Sequence, residues 1–167
     1  ATPRSCSALL RIFNFLTGYS DIADTEEILT APANLRSGLA GRVEREIAHA
    51  LAGRPARIVF KMNALEDVEF TRLLYRAAQA GVKIDLIIRG ICRLRPGIPG
   101  LSENVRVVSI IGRFLEHSRL YYFSNAGDPE YFIGSADVMK RNLDERIEVL
   151  APVRAPIAPS LVRKVRL

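Results

Sequence analysis

Two residues of this sequence stand out for their chemistry, His117 and the arginine two positions later, Arg119. Residues two apart on a strand share one face, so the strand predicted here points both side chains, and Tyr121, at one ligand. Imidazole can attack phosphorus, donate a proton to a leaving oxygen or hydrogen-bond a phosphate, and guanidinium neutralises the charge that develops. Asp137 or Ser135 could orient the ring through its other nitrogen. The pattern favours phosphoryl chemistry. The same spacing would also arise from a structural histidine that is hydrogen-bonded within the sheet and lies beside an ordinary surface arginine.

Three further polar side chains lie where two predicted strands end. The first strand, Ile58–Asn63, turns polar at Lys61 and Asn63, and the second, Val82–Ile88, is followed by Arg89. An amphipathic helix separates the two strands, which indicates a βαβ unit with parallel strands. Ligands of such units bind at the carboxyl ends of the strands. Lys61, Asn63 and Arg89 are therefore candidate phosphate-binding residues.

A long helix is predicted to precede this unit. It spans residues 34–52, and its apolar stripe is formed by Val43, Ile47 and Leu51. On a helical wheel His49 lies far from that stripe. We therefore expect His49 to be a solvated surface histidine.

The remaining elements complete a single α/β domain. The helix of the βαβ unit begins after the candidate N-cap Asp67 and ends at Gly81. Further strands are expected at residues 28–30, 105–111, 115–123, 131–134 and 147–150. These elements must position the polar residues described above.

The positive charge of the chain is almost entirely arginine. Lys and Arg total 24 against 18 Asp and Glu, a net charge of +6, and all but four of the basic residues are arginines. The stretch between residues 89 and 119 contains no lysine, and its arginines are Arg89, Arg93, Arg95, Arg106, Arg113 and Arg119. Guanidinium binds phosphate in a bidentate way, and a basic concave face attracts polyanions. A genome rich in G and C would also favour arginine, so position matters more than the total.

Composition also excludes several classes of protein. With 49% hydrophobic and 25% charged residues the chain is globular rather than disordered. No apolar run approaches the roughly 18 residues of a membrane span and no signal peptide is visible, so we expect a cytoplasmic location, with peripheral membrane association left open. Cys6, Cys92 and two histidines form neither a disulfide framework nor a structural zinc set. The first residue is not Met and residues 163–167 are basic, which suggests a piece of a longer polypeptide.

Six segments together resemble one known family. They are Phe13–Tyr19 (FNFLTGY), Lys61–Leu65 (KMNAL), Ile88–Cys92 (IRGIC), Leu94–Gly100 (LRPGIPG), Gly112–Arg119 (GRFLEHSR) and Arg141–Asp144 (RNLD). Their combination, from about Leu10 to Pro152, resembles the C-terminal catalytic region of bacterial polyphosphate kinases of the first, phospholipase-D-like type. The resemblance implies an α/β fold: a phospholipase-D-like mixed sheet with flanking helices in a single domain.

The resemblance also implies a role for each candidate residue. Members of the family reversibly transfer the terminal phosphate of ATP to polyphosphate through a phosphohistidine. That histidine and the magnesium-binding positions lie in a first catalytic domain, whereas this chain is similar to the second. His117 matches a further essential histidine, and Arg89 matches a nucleotide-contacting arginine. Lys61, Asn63 and Arg119 match possible phosphate-binding positions.

The expected ligands and partners follow from the same resemblance. They are ATP or ADP, inorganic polyphosphate, Mg²⁺ that accompanies ATP without ligands from this chain, and the remaining domains of the parent protein. A homo-oligomer is expected of the full-length protein. No nucleic acid is expected, because the sequence has no basic strip interleaved with aromatic residues.

The family pattern suggests boundaries and shows two departures. Residues 1–30 are predicted to be an N-terminal joining segment, residues 31–152 the second catalytic domain and residues 153–167 a truncated linker. Val138 replaces a tryptophan that usually follows the Ser-Ala-Asp triplet, which removes an aromatic wall near the site. Ala33 replaces a phenylalanine.

Two other functions stay open on the sequence. An arginine-lined crevice could hold polyphosphate or nucleotide without turnover, or two copies of the chain could form a phospholipase-D-like phosphodiesterase. We expect ATP:polyphosphate phosphotransferase activity from the full-length protein and none from the isolated chain. The reason is that the chain lacks the partner histidine, and positioning is most of phosphoryl-transfer catalysis.

Overall fold

The structure, a computed structural model, describes residues 28–109 and 117–153, together with Ser7, Leu10, Arg11, Phe13, Asn14 and Thr17–Tyr19. Its elements are β1 Leu29–Ala31, α1 Leu35–Leu51, β2 Arg57–Met62, α2 Val68–Gln79, β3 Lys83–Ile88, β4 Val105–Ser109, β5 Arg119–Phe123, β6 Glu130–Gly134, α3 Lys140–Asp144 and β7 Glu148–Pro152. The sequence predicted each of these except the short helix α3. The predicted strand residues 110, 111, 115 and 116, most of the joining segment and residues 154–167 lie outside the described residues.

The seven strands form one mixed sheet in the order β1-β7-β6-β5-β2-β3-β4. Strands β2, β3 and β4 are parallel, so the β2–α2–β3 crossover is the predicted βαβ unit. Strand β5 runs antiparallel to β2 and pairs Leu120 with Lys61. The start of β5 therefore lies beside the carboxyl end of β2, which brings two separate parts of the chain to one edge of the sheet.

The core lies between the sheet and the helices α1 and α2. Its centre is an aromatic cluster in which the ring of Phe60 lies 4.8 Å from that of Tyr121 and 5.6 Å from that of Phe123, both edge to face. All three side chains are fully buried. Because each buried aromatic side chain contributes about 2 kcal/mol, this cluster holds β5 against β2. No helix in the described part of the chain is long and apolar enough to cross a membrane.

Helix α1 buries a different stripe from the predicted one. Leu51 is 74% exposed, whereas the stripe that packs on the sheet ends with Glu46 and His49. The prediction of a solvated His49 is wrong, because this side chain is only 9% exposed and its Nε2 lies 3.3 Å from Oδ1 of Asn125. The cause is the 3-10 turn Asn125–Gly127, which covers this end of the helix and is held there by a hydrogen bond from its first backbone N–H to Glu46.

The N-terminus of α2 carries the predicted cap. The Asp67 carboxylate accepts a hydrogen bond of 2.8 Å from the backbone N–H of Phe70, and Arg36 of α1 binds both Asp67 and Asp144. Burial by itself raises the pKa of Asp67, but the hydrogen bonds from Arg36 and Phe70 outweigh it and hold the pKa below its usual value. One carboxylate thus caps α2 and fastens it to α1.

Replacing Asp67 by Ala is predicted to lower the free energy of unfolding by about 2 kcal/mol, because the cap and the ion pair are lost together. Urea denaturation at neutral pH measures this difference. The matched control is Glu69→Ala, whose exposed carboxylate pairs with exposed Arg72 and whose loss is expected to cost about 0.5 kcal/mol or less.

The same variant has a predicted pH dependence. A carboxyl group whose pKa is depressed on folding stabilises the protein above its unfolded pKa and loses that contribution as the pH falls through the folded pKa. The stability difference between the wild type and Asp67→Ala should therefore shrink on acidification below the ordinary Asp pKa. A difference that grows over that range would contradict the assigned ion pair.

Candidate functional site

The residues predicted for the site come together at one edge of the sheet, where β2 and β3 end and β5 begins. Lys61 and Asn63 lie at the carboxyl end of β2, and Arg89 directly follows β3. Arg119 is the first residue of β5, and His117 precedes it. The predicted strand 115–123 is therefore too long on its amino side, since His117 lies before the strand and is exposed.

A single buried carboxylate joins these strand ends. Oδ1 of Asp137 accepts hydrogen bonds from the backbone N–H groups of Asn63, at 2.7 Å, and Ala64, at 3.3 Å. The same oxygen accepts a bond of 3.2 Å from Nε of Arg119, and Oδ2 accepts one of 2.8 Å from its Nη2. The side chains of Asp137 and Arg119 are only 6% and 10% exposed. This bidentate pair is therefore largely removed from solvent, where charge-assisted bonds are strongest.

Arg119 extends the connection to the histidine. Its Nη1 donates to the backbone oxygen of His117 at 2.8 Å and lies 2.7 Å from Nδ1 of the same ring. The hydrogen bonds to Asp137 raise the pKa of Arg119 above its ordinary value. The guanidinium thus stays charged and joins the imidazole to the buried carboxylate.

Neither side chain predicted to orient the ring contacts it directly, so that prediction is wrong. Asp137 binds Arg119 instead, and the Ser135 hydroxyl donates to Glu148. Glu148 also accepts a bond of 2.9 Å from Asn142, which places it in a separate polar cluster. The ring is oriented by Arg119, whose guanidinium group contacts both the imidazole of His117 and the carboxylate of Asp137.

Arg89 is attached to the same centre through Asn63. Its Nε donates to Oδ1 of Asn63 at 2.8 Å, while the backbone N–H of Gly90 donates to the backbone oxygen of Asn63, also at 2.8 Å. A Cβ at Gly90 would lie 3.1 Å from that oxygen, so the close approach of the two strand ends favours glycine. The hydrogen-bonded path runs from Arg89 through Asn63, Asp137 and Arg119 to the imidazole.

Lys61 contacts the other side of this segment. Because Lys61 pairs directly with Leu120, both point to the sheet face opposite Arg119. Its ammonium donates to the hydroxyl of Ser118, and only 9% of the residue is exposed. The structure thus connects Asn63, Arg89 and Arg119 to His117 by hydrogen bonds, one of which comes from the backbone N–H of Asn63. Lys61 supports the histidine segment at Ser118 from the opposite face.

Two residues that support the site were not assigned this role from sequence. Tyr121 is fully buried, which raises the pKa of its hydroxyl, and the hydroxyl donates to the backbone oxygen of Ala136 at 2.8 Å. This bond fixes the segment that carries Asp137. Val138, at the position where the family usually has tryptophan, is fully buried and pairs with Leu65. The alternation of β5 placed Tyr121 on the face of the site, but no local pattern indicated its partner.

The described residues offer no metal site of their own. Among them, no group of three or more His, Cys, Asp and Glu side chains could hold a metal ion. Arg93, exposed on the loop after β3, adds positive charge near this edge, because its backbone N–H donates to the backbone oxygen of Leu65 just after β2. Arg95 is exposed farther along the same loop, where its backbone N–H donates to Tyr75 of α2, and Arg113 lies outside the described residues. The arrangement suits the binding of anions by guanidinium groups and an imidazole.

Comparison with known proteins assigns the chain to a family. The family model described as polyphosphate kinase C-terminal domain 2 matches residues 28–166. The chain belongs to this family. It is 57% identical over 148 residues to a polyphosphate kinase of Thermosynechococcus vestitus, covering 89% of this chain and 20% of that protein. It is 49% identical over 159 residues to a Pseudomonas aeruginosa polyphosphate kinase, covering 95% and 23%. The chain thus spans about a fifth of the length of these relatives.

Solved structures agree with this assignment. The polyphosphate kinase from Porphyromonas gingivalis matches with a TM-score of 0.88 at 41% identity, covering 95% of this chain and 24% of that one. NucT from Helicobacter pylori (TM-score 0.58, 13% identity) and Nuc from Salmonella typhimurium, a phospholipase D family member (0.52, 15%), cover 83% of this chain. At such low identity they show the fold alone. The predicted phospholipase-D-like α/β fold is confirmed, whereas the predicted boundaries at residues 31 and 152 stay a prediction.

The close packing of β6 against β7 beside the site gives a testable prediction. A Cβ at Gly134, which pairs with Arg119, would lie 1.9 Å from the backbone oxygen of Val149. Gly134→Ala is therefore predicted to lower the free energy of unfolding by about 3 kcal/mol, because a backbone atom must move. Gly41→Ala is the control, since among the described residues nothing beyond the backbone of α1 itself lies within 4 Å of an added Cβ, and it should stabilise by roughly 1 kcal/mol. Equal effects in thermal or urea unfolding would contradict the packing described.

Proposed function

We propose that this chain is the second catalytic domain of a polyphosphate kinase, in which Arg89 contacts the phosphates of ATP and His117 assists the transfer. The observation that carries the proposal is the hydrogen-bonded path from Arg89 to His117 at one edge of the sheet. It lies in a chain that belongs to the family polyphosphate kinase C-terminal domain 2. Guanidinium and imidazole on rigid strand ends stabilise the charge of a transferring phosphoryl group.

The proposed reaction divides the work between two domains. The bond between the γ-phosphorus of ATP and the bridging oxygen breaks, ADP leaves, and the phosphoryl group passes to a histidine of the first catalytic domain before it reaches the end of a polyphosphate chain. His117 acts there as a proton donor or as a phosphate ligand, and Arg119 neutralises charge beside it. Mg²⁺ bound to ATP would take its protein ligands from the remainder of the parent protein, where it would neutralise phosphate charge.

The partners of the chain follow from this division. They are ATP or ADP, inorganic polyphosphate and the remaining domains of the parent protein, which forms a homo-oligomer. The net charge of +6 then serves a polyanionic substrate. Cytoplasmic location is proposed because nucleoside triphosphates are found there.

Substitutions in the complete protein are predicted to distinguish the role of Arg89 from that of His117. Arg89→Ala removes a charged contact and should raise KM for ATP about tenfold or more. His117→Ala should lower kcat by about 100-fold or more while leaving nucleotide affinity mostly intact, because its contribution arises during transfer. Steady-state kinetics and ATP binding measure both effects. The control is Arg72→Ala, which replaces an exposed arginine on α2 that pairs with Glu69, and it should change neither quantity.

The same comparison also tests the alternative that the chain is a module that binds polyphosphate or nucleotide without turnover. Such a module requires that the two alanine variants lose polyphosphate or nucleotide affinity to a similar extent, and that affinity falls steeply with salt. Similar losses of affinity with no effect on kcat would contradict the proposed catalytic role of His117.

The isolated 167-residue chain is predicted to be inactive. Incubated with ATP and magnesium, it should form no polyphosphate above background, because the phosphohistidine is supplied by another domain. Polyphosphate formation is measured beside the full-length enzyme at equal concentration. A comparable rate from the isolated chain would refute the division of work between two domains.

A further inference from the structure

The contact between Arg119 and His117 determines which nitrogen of the imidazole carries a proton. Nη1 of Arg119 lies 2.7 Å from Nδ1 of His117. A guanidinium has five N–H donors and no acceptor, so the hydrogen bond exists only when Nδ1 accepts. The nitrogen that carries the proton is set by the bond that the other nitrogen makes. The proton of the neutral ring therefore lies on Nε2.

Arg119 is held firmly enough to impose this choice. Four of its five N–H groups are used: two bind the Asp137 carboxylate, one the backbone oxygen of His117 and one the imidazole. Asp137 is itself fixed by the backbone N–H groups of Asn63 and Ala64. The orientation of the guanidinium is thus determined by the ends of two strands and not by the exposed histidine.

We propose that Asp137 and Arg119 are positioning residues that fix His117 as a neutral imidazole donating a hydrogen bond from Nε2 to a phosphate oxygen. This deepens the proposed function, on which it rests, because it selects the phosphate ligand over the proton donor. A neutral ring that gave up its Nε2 proton would become an imidazolate, which is too basic to be a useful product. An imidazolium would need an N–H at Nδ1, directed at the N–H of Arg119.

The same arrangement disfavours His117 as the residue that becomes phosphorylated. A nucleophilic nitrogen needs a free lone pair, and here Nε2 bears the proton while the lone pair of Nδ1 accepts from Arg119. A neutral donor can still lower a barrier, because its hydrogen bond strengthens as charge develops on the phosphate oxygen. The assisting role of His117 is thus a consequence of its contact with Arg119.

The direct test is ¹⁵N NMR of the isolated chain, which contains only His117 and His49. At alkaline pH, where the imidazole is neutral, we expect His117 in the Nε2–H tautomer, with scalar coupling across the hydrogen bond between its Nδ1 and Nη1 of Arg119. Arg119→Lys keeps the charge but not the fork, and should abolish the coupling and allow both tautomers. Asp137→Asn should do the same. His49 serves as the internal reference, because its environment at the other end of the fold is unchanged.

The matched control is Asp85→Asn. Asp85 accepts two hydrogen bonds from Arg57 at the opposite edge of the sheet, so its loss removes an ion pair of the same kind away from His117. The coupling and the tautomer of His117 should persist in this variant. Protonation of Nδ1 in the wild type, or a His117 signal that is unchanged in both Arg119→Lys and Asp137→Asn, would overturn the proposal. Because no substrate is used, this outcome is independent of the proposed function.

A kinetic comparison in the complete protein tests the neutral-donor role separately. The amide of glutamine donates a hydrogen bond but is not an acid, so His117→Gln should keep at least about tenfold more kcat than His117→Ala. Equal loss in both variants, with the fold unchanged by circular dichroism, would contradict a neutral donor and support proton transfer. If the complete protein transferred no phosphate at all, the proposed function would fail while the NMR result still stood.

Discussion

The buried carboxylate of Asp137 is the interaction on which the rest of the site depends. It accepts backbone hydrogen bonds from the end of β2 and a bidentate pair from Arg119 at the start of β5. A buried charge without partners is costly, and removing one partner of such a pair typically costs about 3–5 kcal/mol. The ends of β2, β5 and β6 therefore stay together, and Arg89 and His117 are carried into position by residues bound to this carboxylate.

The features that the sequence predicted correctly are those with a local origin. The βαβ unit, the Asp67 cap and the positions of the strands along the chain follow from hydrophobic periodicity and from capping chemistry, which act within a few residues. The rule that ligands meet at the carboxyl ends of parallel strands also brought Asn63 and Arg89 together correctly. Sequence position was sufficient to locate Asn63 and Arg89, because each of them directly follows a strand that the sequence predicts.

The features that were missed depend on contacts between distant parts of the chain. His49 is buried because a turn 76 residues later covers α1, and no helical wheel contains that information. To predict the partner of Asp137, one would have needed the distance between its carboxylate and the His117 ring. The carboxylate does not reach the ring directly, and the guanidinium of Arg119 bridges the two groups. The side chain of Lys61 lies on the sheet face opposite Arg119 because Lys61 pairs with Leu120 and not with Arg119. This pairing register between β2 and β5 cannot be deduced from the order of the strands.

The central claim is that this edge of the sheet is a phosphate site, and binding of tripolyphosphate followed by ¹H–¹⁵N NMR tests it most directly. The account predicts that the largest backbone shifts fall at Asn63, Arg89, His117 and Arg119, where guanidinium and imidazole groups converge. The opposite edge, which also carries basic residues at Arg57 and Lys83, serves as the comparison within one spectrum. Shifts centred on that opposite edge, or shifts spread evenly over the basic residues, would contradict the account.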